Sequence, residues 1–333
     1  MTPARPTAGV ALSGPVRSVS TPAERRTAEL AALAVMALWA GNFIVVKSAV
    51  TILPPVGFTF LRYVVATITV LVLLRWREGS IAMPRSDAWR ICLLGVVGFG
   101  GYQILWSVGL LSISAGDSAL LIATTPVWTA ILAAVSGADT LSPTRLGGAL
   151  LSFVGVAIVI GSGVGFDLGT SLVGDVLTLA AALCWAIYTA FGSNILRRHS
   201  PLKTTAWAIL AGTLFLVPLG TAQLVSSGVS GVYAVLASGA VVAAILAILY
   251  SGILAAGTAN VVIFHAIKLV GPTRITALQS LVPAMAVVLA AIFLGEPIRP
   301  GQVLGGVVIV AGVAILRRGT LPGMGRWRTA GAA

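Results

Sequence analysis

GALLSFVGVAI, residues 148–158, and GGVVIVAGVAI, residues 305–315, are two passes of one pattern. Sliding the chain against itself by 157 residues puts Gly148 on Gly305 and Gly155 on Gly312, the latter pair opening GVAI in both copies. The same shift puts Pro126 on Pro283, Pro143 on Pro300 and Asp139 on Glu296. One such coincidence means nothing; several in a single register, with matched hydropathy around them, mark an internal duplication. The start of each copy matches less closely, through Trp39 in ALWAGNF and Trp185 in ALCWAIY.

The composition identifies the solvent in which this duplication must fold. Of 333 residues, 58% are hydrophobic and only 9% charged, too little polar surface to cover a water-soluble globule. Apolar runs of roughly 20 residues, the length a helix needs to cross a bilayer, recur from Glu29 to Leu316. The runs of the first copy cover Leu30 to Ala49, Pro55 to Leu74, Arg90 to Leu110, Gly116 to Val135 and Leu146 to Gly163. Those of the second cover Gly174 to Asn194, Thr204 to Leu224, Ala243 to Ile267, Pro272 to Phe293 and Gly301 to Leu316. Residues 226–243 read either as a loop into the eighth helix or as an interfacial segment. The runs are apolar on every face, so they are helices and not barrel strands, which alternate.

The expected fold is therefore an all-α integral membrane protein of ten transmembrane helices, built as two inverted five-helix repeats. Residues 1–28, with Pro3, Pro6, Pro15 and Pro22 among Ser, Thr and Arg, read as a disordered tail. Its polar leader is too long, and the following run too complete a span, for a cleaved signal peptide. The first repeat is expected over 29–165, the second over 166–318, and a short tail over 319–333.

Basic residues give the orientation. With ten spans, Arg5, Arg17, Arg25 and Arg26, the second loop (Arg75, Arg77, Arg85, Arg90), Arg145, the sixth loop (Arg197, Arg198, Lys203), Lys268, Arg274 and the terminal Arg317, Arg318, Arg326 and Arg328 all fall on one side. Only Arg299 falls on the other, with Asp117, Asp167, Asp175 and Glu296. The positive-inside rule then places both termini in the cytoplasm, and the richness in Ala, Gly, Val and Arg, as in a GC-rich bacterium, gives the inner (cytoplasmic) membrane as the expected location. The net charge of +12 calls for no nucleic-acid partner: anionic membrane lipids account for the terminal arginines, and little soluble sequence remains to form a nucleic-acid surface. Five spans per copy is an odd number, so the second copy enters the membrane from the opposite face. Inverted repeats of this kind let secondary transporters alternate between two conformations around a midplane site.

Ten spans in two halves, WAGNF in the first helix, a proline followed by Arg62 in the second, and the closing LVPAMAVVLAAIFLGEPIRPGQVLGG together resemble the drug/metabolite transporter superfamily, specifically its EamA group. The resemblance covers about residues 29 to 318. Where that group has an acidic residue after a glycine in both halves, this chain has LGEP at Leu294 to Pro297 and GADT at Gly137 to Thr140. The resemblance implies efflux or exchange of small metabolites, often amino acids or toxic compounds, through a central cavity lined by both halves. It leaves the substrate open.

An ionisable side chain inside a span costs about 2.5 to 3.5 kcal/mol on insertion scales, so Arg62 and Lys47 are the first candidates for a substrate site. Arg62 lies seven residues past Pro55, a depth of about 10 Å, near the limit that snorkelling relieves. Lys47 lies about one turn from the end of its helix, so both an interfacial ammonium and a substrate contact stand. Asn42 sits near the midplane, where its amide needs a neighbouring helix or a ligand. Trp39, Tyr102, Gln103, Trp185, Tyr188, Asn260 and Gln279 are candidate cavity wall, with packing as the alternative for each. Pro126 and Pro283 each free a carbonyl in matched positions, as hinges or static kinks. Gly148, Ser152, Gly155, Gly305 and Gly312 let helices approach closely. His265 reads as interfacial, Asp139 and Glu296 as helix-start acids, and Cys92 and Cys184 as unpaired thiols.

With no carboxylate in the core of any predicted span and two deep cations, the pattern favours a substrate bearing a carboxylate. The leading expectation is a secondary exporter of small amphipathic metabolites, amino acids first, working by alternating access. A drug or nucleotide-sugar substrate is the alternative. Proton coupling stays open, without an intramembrane carboxylate to support it. No Walker-type motif is present and no cofactor is called for. A lipid-modifying membrane enzyme needs an acid-base or metal set that the two histidines do not provide, and a scaffold needs no duplicated inverted halves.

Overall fold

The computed structural model describes residues 21–137, 142–162, 170–196, 198–227, 239–270, 275 and 278–318. They form ten helices: α1 (Pro22–Val50), α2 (Pro55–Glu78), α3 (Arg85–Gly109), α4 (Ala115–Val135), α5 (Pro143–Gly161), α6 (Thr170–Leu196), α7 (Pro201–Ser226), α8 (Val241–Ile267), α9 (Leu281–Leu294) and α10 (Pro300–Arg318). All but α9 are long and apolar enough to cross a bilayer, and α9 is a shorter apolar helix of 14 residues. The protein is an all-α multi-pass membrane protein. Of the segment left ambiguous at 226–243, residues 228–238 lie outside the described part, as do Asp139, Asp167 and Arg274.

The first helix begins seven residues before the expected boundary of the tail. Thr21, Pro22 and Glu24 explain this: the Thr21 hydroxyl accepts from the Glu24 N–H while the Glu24 carboxylate accepts from the Thr21 N–H at 2.7 Å, with proline at the first helical position. The same logic starts α2. It opens on Pro54-Pro55, and its orphan Val56 and Gly57 N–H groups donate to Gln223 Oε1 of α7 at 2.8 and 2.9 Å.

The duplication read from the sequence is visible in how α5 crosses α10. A methyl group on Gly148 would lie 2.7 Å from the Gly312 carbonyl, and one on Gly155 would lie 2.8 Å from the Gly305 carbonyl. These two contacts exchange under the 157-residue shift. At the centre, Ser152 donates to the carbonyl of its own repeat mate, Ile309, at 3.3 Å. The helices therefore meet around a local two-fold axis, with glycines allowing backbone to touch backbone.

Two further pairs of irregularities obey the same register. α3 carries a π-helical stretch at Val96–Gly101, and α8 carries one at Tyr250–Thr258, which covers its repeat counterpart. α4 breaks at Ala123–Thr124 before Pro126, and α9 starts at Leu281, the mate of Thr124, just before Pro283. Prolines lack the N–H that would continue the helical ladder. Both breaks lie beside the cavity described next.

Candidate functional site: a cavity between the repeats

The helices enclose a cavity of about 330 Å³ lined by residues from both repeats. Eight of the ten residues predicted as substrate contacts line it: Trp39, Asn42, Arg62, Tyr102, Gln103, Trp185, Asn260 and Gln279, together with Pro126 and Pro283. Along α10 the lining runs through Ile309 and Val313 to Arg317, one residue from the helix end. Toward the opposite face it stops at Arg62, Trp106 and Ala119. The cavity thus reaches the side where the chain enters α1 and leaves α10, and it is closed at the far side.

Arg62 sits at the closed end with 2% of its surface exposed. Its guanidinium carbon lies 5.6, 5.3 and 5.4 Å from the ring centres of Phe58, Tyr63 and Trp106, so three aromatic faces surround the charge. Nη2 donates to Gln103 Oε1, and Gln103 Nε2 donates to the Tyr63 hydroxyl at 2.6 Å, which fixes the amide and thereby the guanidinium. Nε has no hydrogen-bond partner, and no carboxylate among the described residues pairs with Arg62. A buried, unpaired N–H costs about 1 to 3 kcal/mol, so the guanidinium is held in place with one donor unsatisfied and its charge unpaired.

Aromatic rings carry the wall on from there. Phe43 meets Trp106 edge-on at 5.1 Å, Trp106 stacks on Tyr102 at 6.1 Å, Tyr102 leans on Trp185 at 5.6 Å, and Trp185 meets Phe99 at 5.2 Å. Asn42 finds a side chain from the other repeat: its Oδ1 accepts from the Ser251 hydroxyl at 2.5 Å. Trp39 Nε1 donates to the Ala255 carbonyl at 3.0 Å, and Asn260 Nδ2 to the Ala256 carbonyl at 2.8 Å. Both bonds satisfy polar tips while leaving ring and amide edges on the cavity. No Asp or Glu is among the lining residues.

Two predicted contacts lie elsewhere. Lys47 is outside the lining, because its ammonium donates to the Leu110 and Ile113 carbonyls at 2.5 and 2.8 Å. It neither snorkels nor faces the cavity; it caps the end of α3, where backbone carbonyls lack helical donors. Tyr188 is buried behind the wall, packed edge-on against Phe99 at 5.0 Å and over Gly98. Glu296 is a helix-start acid, but for a helix of the other repeat: it accepts from the Ala115 and Gly116 N–H groups of α4 at 2.8 and 3.2 Å. Beside it Arg299 pairs with Asp117 and donates to the Ser162 carbonyl, and Gln302 donates to Asp117 at 2.9 Å. These contacts shut the far side of the cavity.

Arg317 is the lining residue that the sequence reading placed elsewhere, among the flanking bases. The signal was present, since Ile309, Val313 and Arg317 recur every four residues on one helix face. Ser251 and Trp106 were missed for lack of a partner to pair them with, as a lone serine or tryptophan in an apolar run announces nothing.

A duplicated helical membrane fold with a polar-tipped cavity between its halves is the architecture of a secondary transporter. The chain belongs to the EamA-like transporter family, whose model matches residues 26–161 and 172–318. It is similar to an uncharacterized transporter of Archaeoglobus fulgidus, 30% identical over 84% of this chain and 93% of that one. A "Probable terminal-alkyne amino-acid exporter" of Streptantibioticus cattleyicolor is 29% identical over 85% of this chain and 91% of its own. A "Probable amino-acid metabolite efflux pump" of Salmonella typhimurium is 26% identical over 85% and 92%. A crystal structure that covers 89% of this chain and 99% of its own matches with a TM-score of 0.61 at 20% identity, a likeness of fold.

Proposed function

We propose that this transporter exports small amphipathic metabolites carrying a carboxylate, amino acids first, by alternating access, and that it lies in the cytoplasmic membrane with both termini in the cytoplasm. The observation that carries the reading is Arg62: a buried guanidinium on the cavity wall, oriented by Gln103, with Nε unpaired and no acidic partner among the described residues. A guanidinium on the cavity wall without an acidic partner suits a carboxylate, and the aromatic run beside it suits an apolar body. The names of the Streptantibioticus and Salmonella relatives support the substrate class, and the loops rich in Arg and Lys support the orientation. In that orientation the cavity faces the cytoplasm, the side from which an exporter loads.

Thermal unfolding of the purified protein against amino acids, other carboxylates, organic cations and nucleotide sugars tests this, because a ligand that binds only the folded state raises its apparent stability. Carboxylate-bearing compounds are expected to stabilise the wild type and to lose that effect in Arg62→Gln. Stabilisation by organic cations, undiminished in Arg62→Gln, would overturn the assignment.

A further inference from the structure

We infer that the α2–α3 hairpin is a binding surface for the headgroups of anionic phospholipids. The end of α2 carries Arg75 and Arg77, and the start of α3 carries Arg85 and Arg90. Two acids stand among them, Glu78 and Asp87, and both are engaged by the α6–α7 connection instead. Asp87 accepts from Arg198 at 3.1 Å and pairs with His199 at 2.8 Å. Glu78 accepts from the Ser200 hydroxyl and lies 3.8 Å from the Lys203 ammonium. None of the four hairpin arginines forms an ion pair with a carboxylate of the described residues. The hairpin therefore presents four guanidiniums without a direct carboxylate partner, of which only Arg90 feels the charge of Asp87.

The surface beneath these charges is apolar and open. Trp76 is 74% exposed and Trp89 56% exposed, one at each leg of the hairpin. The Arg77 guanidinium lies 5.0 Å from the centre of the Trp76 ring and that of Arg90 5.6 Å from Trp89, which holds both forks extended over aromatic faces. Between the legs, Trp207 Nε1 donates to the Ile81 carbonyl at 2.9 Å, fixing a loop whose Ile81 side chain is itself 45% exposed. A soluble anion needs the guanidiniums and has no use for exposed tryptophan. A phospholipid needs both: phosphate for the forks, and glycerol and upper acyl chain for rings that belong at the membrane interface. The combination selects the lipid.

Each basic residue near a membrane surface favours an anionic lipid by about fivefold, so the two ring-stacked arginines together predict about a 25-fold preference. The test is native mass spectrometry of the full chain released from nanodiscs of mixed phosphatidylcholine and phosphatidylglycerol. Adducts of phosphatidylglycerol are counted for the wild type, for Arg77→Gln with Arg90→Gln, and for the corresponding double lysine variant. The wild type is expected to be enriched in phosphatidylglycerol, the glutamine variant to lose that enrichment about 10- to 30-fold, and the lysine variant to keep part of it. Should the double glutamine variant fold poorly, each single variant is expected to lose about fivefold. Undiminished enrichment in the glutamine variants overturns the inference. So does displacement of the lipid by millimolar inorganic phosphate, which would make this a site for soluble phosphate.

Discussion

Gly147 and Gly148 are adjacent on α5, and alanine at the two positions should change stability in opposite directions. Gly147 is exposed, and a methyl group built on it meets no atom within 4 Å. Alanine there only stiffens the helix and should stabilise by about 0.5 to 1 kcal/mol. On Gly148 the same methyl group would lie 2.6 Å from the Leu316 nitrogen and 2.7 Å from the Gly312 carbonyl oxygen. Both are backbone atoms of α10 and cannot rotate aside, so the helices must part by about 1 Å to restore ordinary contact distance. Parting breaks the 3.3 Å bond from Ser152 to the Ile309 carbonyl and loosens the crossing, at a cost of about 1 to 3 kcal/mol. The local two-fold axis then requires Gly305→Ala to behave like Gly148→Ala, because its methyl group would meet the Gly155 carbonyl at 2.7 Å and the Val159 nitrogen at 2.9 Å. Thermal unfolding in one detergent, with the four proteins side by side, reads the result. If Gly147→Ala and Gly148→Ala shift the midpoint in the same direction, or Gly305→Ala leaves it unmoved, the crossing is not the close, symmetric contact described above.

Lys47→Met keeps the apolar stem of the side chain and removes two charge-assisted hydrogen bonds to the Leu110 and Ile113 carbonyls, so it should destabilise by about 2 to 4 kcal/mol while carboxylate ligands still stabilise the variant. Loss of that ligand response in thermal unfolding would return Lys47 to the substrate site. The carbonyl freed by Pro126 belongs to Ile122 and is taken up by the Thr125 hydroxyl at 2.7 Å. Its repeat mate is the Gln279 carbonyl, freed by Pro283, and the position that matches Thr125 is Val282, which has no hydroxyl. Thr125→Val should therefore cost about 1 to 2 kcal/mol and Val282→Thr should gain about 0.5 to 1.5 kcal/mol in chemical denaturation, and equal effects of one sign would show that the two breaks are capped alike.

The skeleton was legible because membrane helices announce themselves by length and because the duplication left Gly148, Gly155 and their mates in strict register. Most of the cavity wall was legible for a related reason: a polar or aromatic residue near the midplane of an apolar run needs a place, and the space between the repeats is the place available. Lys47 and Tyr188 show where that reasoning stops. A lysine three residues before the end of its helix at Val50 can reach outward to the interface or sideways to another helix, and only the position of the α3 carbonyls decides. Tyr188 lies one turn beyond Trp185 on the same helix, and the small rotation between them puts one ring on the cavity and the other behind it. The start of α1 was readable from Thr21, Pro22 and Glu24 and was passed over, since the count of apolar residues begins later than the helix does.

The contacts that shut the far side of the cavity also bear on which side opens more readily. Glu296 receives two backbone N–H groups, from Ala115 and Gly116, and Asp117 holds both Arg299 and Gln302. An inverted repeat offers the same four positions to the opposite side through the 157-residue shift. There the acid is Asp139, and the two N–H groups fall to Pro272 and Thr273, of which proline has none. Asp117 becomes Arg274, Arg299 becomes Ser142 and Gln302 becomes Arg145, so the Asp117–Arg299 pair itself has no counterpart at the positions that match it. One side is thus latched by an acid held on two backbone donors, and at the matching positions of the sequence one of those two donors is missing. On the alternating-access reading, opening the far side means parting a charged pair that is largely withdrawn from water, which costs several kcal/mol unless substrate binding offsets it. On that reading the charged cluster of Glu296, Asp117, Arg299 and Gln302 is what holds the far side shut while the cavity reaches toward the chain ends.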